Sequence, residues 1–424
     1  MNKRTLWSAA LVVGLAVTAS ACGSAAGPGS SSGGSGDKLV VWDWKSGDAK
    51  AANYLAKAKA DFAKKHPGVN IEFVAQPYDQ FYTLLGTAIQ SGKGPDVIMF
   101  NGGGKIRDRS DALAPLDEYV GEDKQRLAGW EAFSKEGKVY AEPVTLQGHP
   151  IYYNKDLYQK AGLNPDSPPK TWDEFTKNCG VVTEKTGAKC FALGNKEGIG
   201  IQFWLSAMGS AILTPQEYDD WINGKRDWNS ANVKKIFELW KQAGDTGLNS
   251  DGANSTAMFN DAFGIFNSAK AANVIGLMSD VGHWKDFSEF LTPEKVGVMP
   301  APVVNSAAKP SLPYDGGIGY AVAKWTKDPK LAADLVRSLT STDALKSFYE
   351  DGGAIVSDTT VDVSKGGPSV KTIQTEVKSG KPALHVALPS KTVDLMGRLS
   401  QELLSGSTTV DDVVTQLAAS DKNG

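Results

Sequence analysis

The stretch from residue 38 to residue 100 alternates between short apolar runs and amphipathic runs, and this order limits the fold more than any other feature. The pattern predicts strands at 38–42, 69–73 and 96–100 and helices at 51–66 and 80–90. A β-α-β-α-β order is typical of a parallel sheet wrapped by helices. Ligands of such sheets lie beyond the carboxyl ends of the strands, so the residues that follow each strand are the first candidates for a binding site.

Residues 1–21 have the pattern of a secretory signal peptide. A basic start (Lys3, Arg4) precedes an apolar run that ends in small residues, and this run is shorter than the roughly 20 residues of a spanning helix. Cys22, directly after the small residues, resembles the cysteine of the bacterial lipobox, which is acylated and becomes the mature N-terminus. Residues 22–36 then predict a flexible Gly/Ser tether. We expect an exported lipoprotein, anchored to the outer face of the cell membrane by a palmitate-type lipid on Cys22. The alternative is an ordinary signal peptide with an incidental cysteine.

The body that follows the tether has about 390 residues, too many for one hydrophobic core, so at least two domains are expected. Apolar residues make up 41% and charged residues 22%, as in ordinary globular proteins. The net charge of −3 does not indicate nucleic acid or an anionic membrane surface as a partner. Cys179 and Cys190 are close enough along the chain to form a local disulfide in an exported protein, and the sequence leaves open whether they pair.

Motifs for catalysis or metal binding do not stand out in the chain. Neither an HExxH nor a paired CxxC is present, and the GxSxG match at 29–33 lies in the tether, where no strand precedes it. The glycines at 102–104 with Lys105 lack the spacing of a phosphate loop, so we interpret them as a loop that lets the backbone approach a ligand. The sequence therefore predicts no catalytic residue, no metal site and no cofactor.

Six short segments, in order along most of the chain, carry a resemblance to one protein family. They are 62–69 (FAKKHPGV), 94–97 (GPDV), 113–117 (LAPLD), 152–157 (YYNKDL), 168–175 (PPKTWDEF) and 316–322 (GGIGYAV). With these segments the chain is similar to the extracellular solute-binding proteins (family 1) of bacterial ABC importers, the large carbohydrate-binding group that includes maltodextrin binders.

The resemblance implies an α/β fold of two lobes, of the type II-like periplasmic-binding-protein class, with a hinge and a ligand cleft at their interface. The implied lobe 1 is 37–148 plus 311–343 and lobe 2 is 149–310 plus 344–424, with crossovers near 147–150, 309–314 and 341–345. It further implies lobes that close on the ligand, the permease subunits of an ABC transporter as partners, and a monomer.

A carbohydrate has apolar C–H faces and a rim of hydroxyls, so its cleft needs aromatic rings beside several polar groups. We expect Trp44 and Trp284 to be the main stacking platforms and to face one shared gap. Strand ends and the family's ligand loops together give these ligand-binding candidates: Trp44, Lys45, Gln76, Tyr78, Asn101, Gln147, His149, Trp204, Trp284, Tyr314, Asp315, Gly316, Gly317 and His385.

These candidates predict capture of a carbohydrate, expected to be an oligosaccharide, and its delivery to the permease, without catalysis. One alternative keeps the fold and changes the solute. The strand ends hold few carboxylates for a polyamine, and no arginine cluster indicates a multiply anionic ligand, although Arg107 and Arg109 follow the glycine loop. A second alternative is an exported glycosidase that uses Asp43 and Asp315 as its carboxylate pair. A third is a surface adhesin, which would need neither a cleft nor a permease.

Overall fold

Two α/β lobes, each built around its own sheet, form the computed structural model of this protein, which describes residues 38–245, 247, 249–280, 282–377 and 380–422. The predicted signal peptide, the tether and Cys22 lie outside the described residues. The strands are β1 (Lys38–Asp43), β2 (Asn70–Ala75), β3 (Val97–Asn101), β4 (Leu113–Ala114), β5 (Ser134–Lys135), β6 (Lys138–Val139), β7 (Ala141–Pro143), β8 (Leu146–Gly148), β9 (Ile151–Asn154), β10 (Lys189–Phe191), β11 (Ala271–Ile275), β12 (Val296–Met299), β13 (Tyr314–Gly316) and β14 (Ile318–Ala323). The helices are α1 (Ala52–Lys65), α2 (Tyr78–Ser91), α3 (Gly104–Arg107), α4 (Asp123–Arg126), α5 (Lys155–Lys160), α6 (Trp172–Thr186), α7 (Gly200–Ile212), α8 (Pro215–Ile222), α9 (Ala231–Asp245), α10 (Phe263–Asn267), α11 (Trp284–Leu291), α12 (Pro329–Leu339), α13 (Thr342–Ser347), α14 (Gly367–Val377), α15 (Ser390–Leu404) and α16 (Val410–Lys422).

The first lobe contains the sheet that the alternating pattern predicts. Its strand order is β2-β1-β3-β14-β4, and β7 also pairs with β14. Strand β1 runs parallel to both β2 and β3, which confirms the predicted β-α-β-α-β unit. Strand β14 returns from much later in the chain and runs antiparallel to β3, so this lobe gathers residues from separate parts of the sequence.

The second lobe has a four-stranded sheet in the order β10-β11-β9-β12. Strand β11 ends at Ile275, and a Cβ at the following Gly276 would contact the ring of Tyr152. Helix α6 begins with a capping box of Thr171 and Glu174.

The core of the second lobe surrounds α7, in which every residue except Gln202 is buried. Cys179 of α6 and Cys190 of β10 are joined by a disulfide that ties this helix to the edge of the sheet. No helix among the described residues combines the length and the apolarity that crossing a bilayer requires.

Two antiparallel strands connect the lobes. Strand β8 leads from the first sheet into β9 of the second, and β13 leads from the second lobe back into β14. They pair with each other, with Gln147 opposite Asp315 and Gly148 opposite Tyr314. These connections lie close to the expected crossovers at 147–150 and 309–314.

The third connection lies later in the chain than expected. Helix α13 packs against α1 of the first lobe, and Ile355 and Ser357 then bond to the backbone of Leu146 and Val144 beside the hinge. The crossover expected at 341–345 is therefore wrong, because α13 still completes the helical layer on the first sheet. The lobe boundaries as a whole stay a prediction.

Candidate ligand-binding cleft

A cavity of about 310 Å³ lies between the two lobes. The first lobe lines it at the carboxyl ends of its strands and at the start of α2, where parallel α/β sheets bind ligands, and the second lobe lines it with α7 and with the segment before and within α15. The lining includes Tyr78, Asn101, Gly102, Gly104, Lys105, Gln147, His149, Glu197, Ile199, Gln202, Phe203, Phe259, Asp280, His385, Val386, Ser390 and Asp394. Five predicted candidates thus line one cavity: Tyr78, Asn101, Gln147, His149 and His385.

Aromatic rings come to the cavity from both lobes. Tyr78 begins α2 in the first lobe and is 48% exposed, so its ring is accessible to a ligand. Phe203 of α7 and Phe259 lie in the second lobe with their ring centroids 6.3 Å apart. Rings of this kind can pack against the apolar faces of a bound molecule.

Trp44 stands behind Tyr78 and does not line the cavity. Its indole packs edge-on against the rings of Tyr78 (centroids 5.3 Å apart) and Phe81 (4.8 Å). This half-buried indole therefore supports the orientation of the Tyr78 ring. Gln76, also half-buried, does not line the cavity either.

Two amides supply hydrogen-bonding capacity to the cavity. The side-chain oxygen of Asn101 accepts the hydroxyls of Tyr82 (2.9 Å) and Tyr78 (3.3 Å). The side-chain oxygen of Gln147 accepts the backbone N–H groups of Met278 (2.7 Å) and Ser279 (3.2 Å). Because the oxygens are used by the protein, the N–H groups of both amides are the part that can donate to a ligand.

Two histidines from the hinge and the second lobe meet in the cavity wall. The ring of His149 stacks on Phe203 (centroids 4.4 Å apart, 23° between planes) and lies 5.0 Å from the ring of His385. Burial lowers the pKa of His149, and nearby His385 lowers it further. Burial also lowers the pKa of His385 to about 4. Both imidazoles are therefore neutral near pH 7.

Contacts between the lobes close the rim of the cavity. On one side, the ammonium of Lys45 donates to the carboxylate of Asp280. Burial acts to lower the pKa of Lys45, but the charge and hydrogen bond of Asp280, together with the charges of Asp48 and Asp286, outweigh it, so the pKa of this lysine lies above its usual value. Lys45 is thus predicted to contact ligand, but in the structure it binds the opposite lobe.

On the other side of the cavity, the end of the first sheet meets the start of α15. Lys105 forms an ion pair with Asp394 (3.5 Å), and the backbone N–H of Ser390 donates to Asp108 (3.2 Å). Contacts on both sides of the cavity hold the lobes together in this structure.

The glycine loop at 102–104 serves this lobe contact. A Cβ at Gly103 would lie 2.8 Å from the carbonyl oxygen of Val386, and one at Gly104 would lie 2.9 Å from the backbone nitrogen of Ser390. The loop therefore lets the backbone of the second lobe approach. Gly102 and Gly104 also line the cavity, so the predicted approach of this loop to a ligand stays a prediction.

Trp204 is wrong as a cleft residue. It is 1% exposed, its Nε1 donates to the carbonyl of Ile236 (3.0 Å), and its ring packs edge-on against Trp172 and Trp240. It belongs to the interior of the second lobe, because its side of α7 faces the core.

Trp284 also lies outside the cavity. It begins α11, and its Nε1 donates to the carbonyl of Gly353 (2.8 Å), beside the third connection. Its ring borders a separate pocket of about 220 Å³ that Tyr349 also lines. The expectation that Trp44 and Trp284 face one shared gap is therefore wrong, and any aromatic stacking in the cleft depends on Tyr78, Phe203 and Phe259.

The candidates on β13 belong to the hinge. Asp315 is buried beside a different cavity that Arg107 also lines, and burial raises the pKa of its carboxyl to about 7 although Arg107 opposes the shift. Cβ atoms at Gly316 and Gly317 would collide with the backbone of Gly129 and with Thr145. These two glycines and the half-buried Tyr314 do not line the cleft cavity.

Sequence reasoning missed Phe203, Phe259, Gln202 and Ile199 as lining residues. Ile199, Gln202 and Phe203 follow the i, i+3, i+4 spacing of one helix face. Gln202, the one long polar side chain in a helix whose other residues are apolar or small, was the signal that could have identified this face. Phe259 lies in the turn Met258–Ala262 and has no such signal.

Comparisons with known proteins agree with this architecture. Residues 44–346 match the family model described as bacterial extracellular solute-binding protein. A protein of Brucella abortus (strain 2308) described as a binding protein is 27% identical over 279 residues, which are 63% of this chain and 62% of that protein, so the match spans less than two thirds of this relative. The diacetylchitobiose-binding protein of Streptomyces coelicolor is 25% identical over 92% of this chain and 87% of its own length. A solved chitin oligosaccharide binding protein has a TM-score of 0.80 at 20% identity and covers 92% of this chain and 99% of its own.

Proposed function

This chain belongs to the bacterial extracellular solute-binding protein family, and on that premise we propose that it captures a carbohydrate between its lobes and delivers it to the permease of an ABC transporter. The observation that carries the proposal is the cavity itself, where aromatic rings and free hydrogen-bonding groups face the same space. The names of similar proteins, which include arabinooligosaccharide-binding and diacetylchitobiose-binding proteins, support a sugar as ligand.

The cavity volume of about 310 Å³ lies at the lower end of the roughly 300–1,000 Å³ typical of small-molecule sites. In the arrangement of the lobes seen here, it would hold a short carbohydrate or one end of an oligosaccharide. Wider separation of the lobes would admit more units.

A thermal-shift screen against mono- and oligosaccharides, followed by calorimetric titration of each hit, tests the proposal. Binding of a cognate sugar should raise the melting temperature, because the ligand binds only the folded protein. If no carbohydrate raises it, the sugar assignment is wrong.

A substitution at Phe203 tests whether a carbohydrate identified in the screen binds in this cavity. Replacing it with leucine keeps most of the buried volume and removes the aromatic face, which contributes about 0.5–1.5 kcal/mol beyond burial, so affinity should fall about 2- to 12-fold. Phe290 is a phenylalanine of α11 that is 65% exposed, and Phe290→Leu should leave the affinity unchanged. Equal effects of the two replacements would place the ligand elsewhere.

We propose no catalytic role, and the carboxylates support this. Asp43 accepts the backbone N–H groups of Lys45 (2.9 Å) and Ser46 (2.7 Å), and neither it nor Asp315 lines the cleft cavity. The pair on which the glycosidase alternative depended is therefore not available to a ligand there. Incubation of a bound oligosaccharide with the protein, followed by chromatography, should return it uncleaved.

The family is extracellular, so the protein is exported. We further propose that it acts as a monomer held at the outer face of the membrane by a lipid on Cys22, with the tether 22–36 between anchor and body. Metabolic labelling with a palmitate analogue in a bacterial host should label the protein, and Cys22→Ala should abolish the label and release the protein from the membrane fraction. Labelling that survives this replacement would contradict the anchor.

A further inference from the structure

We propose that His149, together with His385, is the specificity-determining polar wall of the cleft, and that it selects a neutral hydroxyl over a charged group at this position. The inference rests on the proposed function, since it takes the cavity to be the carbohydrate site. It names the residues that contact the ligand and the chemical class of ligand that they accept.

The surroundings of His149 carry the argument. Its ring is 2% exposed, lines the cavity and stacks on Phe203. Neither Nδ1 nor Nε2 has a hydrogen-bond partner among the described residues, although both atoms are buried. Buried polar atoms in folded proteins are almost always hydrogen-bonded, because an unmet one is costly. A ligand hydroxyl in the cavity would supply a hydrogen-bond partner that the described residues do not.

His385 lies beside His149 and is held by a serine hydroxyl. Its Nδ1 lies 2.8 Å from the hydroxyl of Ser206, and that hydroxyl also accepts the backbone N–H of His385 (3.4 Å). Because a hydroxyl can give its proton to Nδ1 or accept one from it, this contact is compatible with either neutral tautomer of His385. Each neutral imidazole carries one N–H donor and one unprotonated nitrogen, so His149, whose nitrogens have no partner among the described residues, presents both kinds of group beside the cavity.

This combination suits a hydroxyl. A neutral imidazole has one donor and one acceptor nitrogen, and a hydroxyl can both donate and accept a hydrogen bond. A carboxylate or phosphate only accepts, so it leaves the acceptor nitrogen unpaired. An ammonium only donates, so it leaves the N–H unpaired.

The charges around the cavity also disfavour an anion. Its charged lining groups are Lys105, Glu197, Asp280 and Asp394, one cation against three carboxylates. Lys105 is already paired with Asp394, and Asp280 with Lys45, which leaves Glu197 as the lining charge without an ion pair among the described residues, and Tyr78 adds only a neutral phenol. A phosphate or uronate in this space would meet net negative charge without a free cation.

The test compares three versions of the sugar that the thermal-shift screen identifies: the neutral sugar, the uronic acid with one CH₂OH oxidised, and the amino sugar with one hydroxyl replaced. Wild-type protein should bind the neutral sugar at least about tenfold more tightly than either charged version, as expected when a buried polar group loses its partner. Equal or tighter binding of a charged version would overturn the inference.

Two variants locate the effect at His149. His149→Leu should weaken binding of the neutral sugar by about 10- to 100-fold, because both ring nitrogens are lost. His149→Gln keeps a donor and an acceptor and should recover most of the affinity. His66→Leu, at the end of α1 and away from the cavity, is the matched control and should bind like the wild type.

The outcomes separate this inference from the proposed function. If the wild type binds no carbohydrate, the proposed function and the inference fail together. If the wild type binds the neutral sugar and folded His149→Leu binds it equally well, only the histidine inference fails. Circular dichroism melting shows whether each variant is folded. If the leucine variant is not, the relative affinity of the wild type for the neutral sugar and its two charged versions still decides the inference.

Discussion

Replacing Lys45 with methionine tests whether a buried ion pair holds the lobes together across the cleft. The Lys45 side chain is 8% exposed, and the side chain of its partner Asp280 is 27% exposed. Lys45 follows β1 of the first lobe and Asp280 follows β11 of the second. Methionine keeps the apolar stem, and Lys45 is not among the cavity-lining residues, so the direct ligand contacts remain.

The expected magnitude follows from the burial of the pair. A hydrogen bond to a charged group contributes about 1.5–3 kcal/mol, whereas an exposed ion pair contributes about 0–1 kcal/mol. Lys45 is nearly buried and Asp280 keeps some contact with water, so we expect the closed arrangement to lose about 2 kcal/mol, or about 30-fold in the closing equilibrium.

This loss appears in one of two measurements. If the ligand-free lobes are mainly closed, the variant opens and its radius of gyration in small-angle X-ray scattering increases. If they are mainly open, closure around the ligand becomes less favourable and the Kd from calorimetry rises. Scattering and calorimetry on the same samples therefore account for the whole effect.

Lys65→Met is the matched control. Lys65 pairs with Asp61 one turn away within α1, so this pair does not join the lobes. The control should change neither the radius of gyration nor the Kd. If Lys45→Met also leaves both quantities within twofold of the wild type, the ion pair does not hold the lobes and the reasoning is refuted.

Three further predictions concern stability and lobe contact. Burial raises the pKa of Glu142 to about 8, above its unfolded value, so the stability gained from its proton is present below pH 4.5 and is lost as the pH rises to 8. The Glu142→Gln variant should therefore have a higher melting temperature than the wild type at pH 9 and the same melting temperature at pH 4.5. Equal melting temperatures at both pH values would contradict this. Gly103 has φ +85° and a Cβ there would meet the carbonyl of Val386, so Gly103→Ala should expand the ligand-free protein in scattering, and an unchanged radius would contradict the close approach. Removing the disulfide by Cys179→Ala with Cys190→Ala should lower the free energy of unfolding by about 3 kcal/mol in urea titrations. A reductant should then have no further effect on the variant. A variant as stable as the oxidised wild type would show that the bond does not stabilise the fold.

Much of the first lobe was predictable because its signals are local. The predicted strands and helices between residues 38 and 100 lie within about two residues of β1 to β3 and of α1 and α2. Periodicity and stop signals such as Pro67-Gly68 act within a few residues of the chain, so they can be read without knowing the neighbours in space. The capping box at Thr171 belongs to the same class.

Five cavity-lining residues were predictable, from strand ends, from the hinge and from the family resemblance. Tyr78 and Asn101 follow from the topology of the first sheet, Gln147 and His149 from the hinge, and His385 from the resemblance. Lys45 also lies at a strand end, yet its ammonium forms an ion pair with Asp280 of the opposite lobe. A local sequence pattern cannot predict a contact between residues so far apart in the chain.

The sequence by itself determined the class of fold, most of the secondary structure and the side of the first sheet on which a ligand would bind. Only the tertiary structure decided that Phe203 faces the cavity while its neighbour Trp204 faces the core. Adjacent residues on a helix point about 100° apart, and α7 is apolar on nearly all sides. Because hydrophobicity does not distinguish an interior face from a face that meets the other lobe, the choice depends on how the lobes pack.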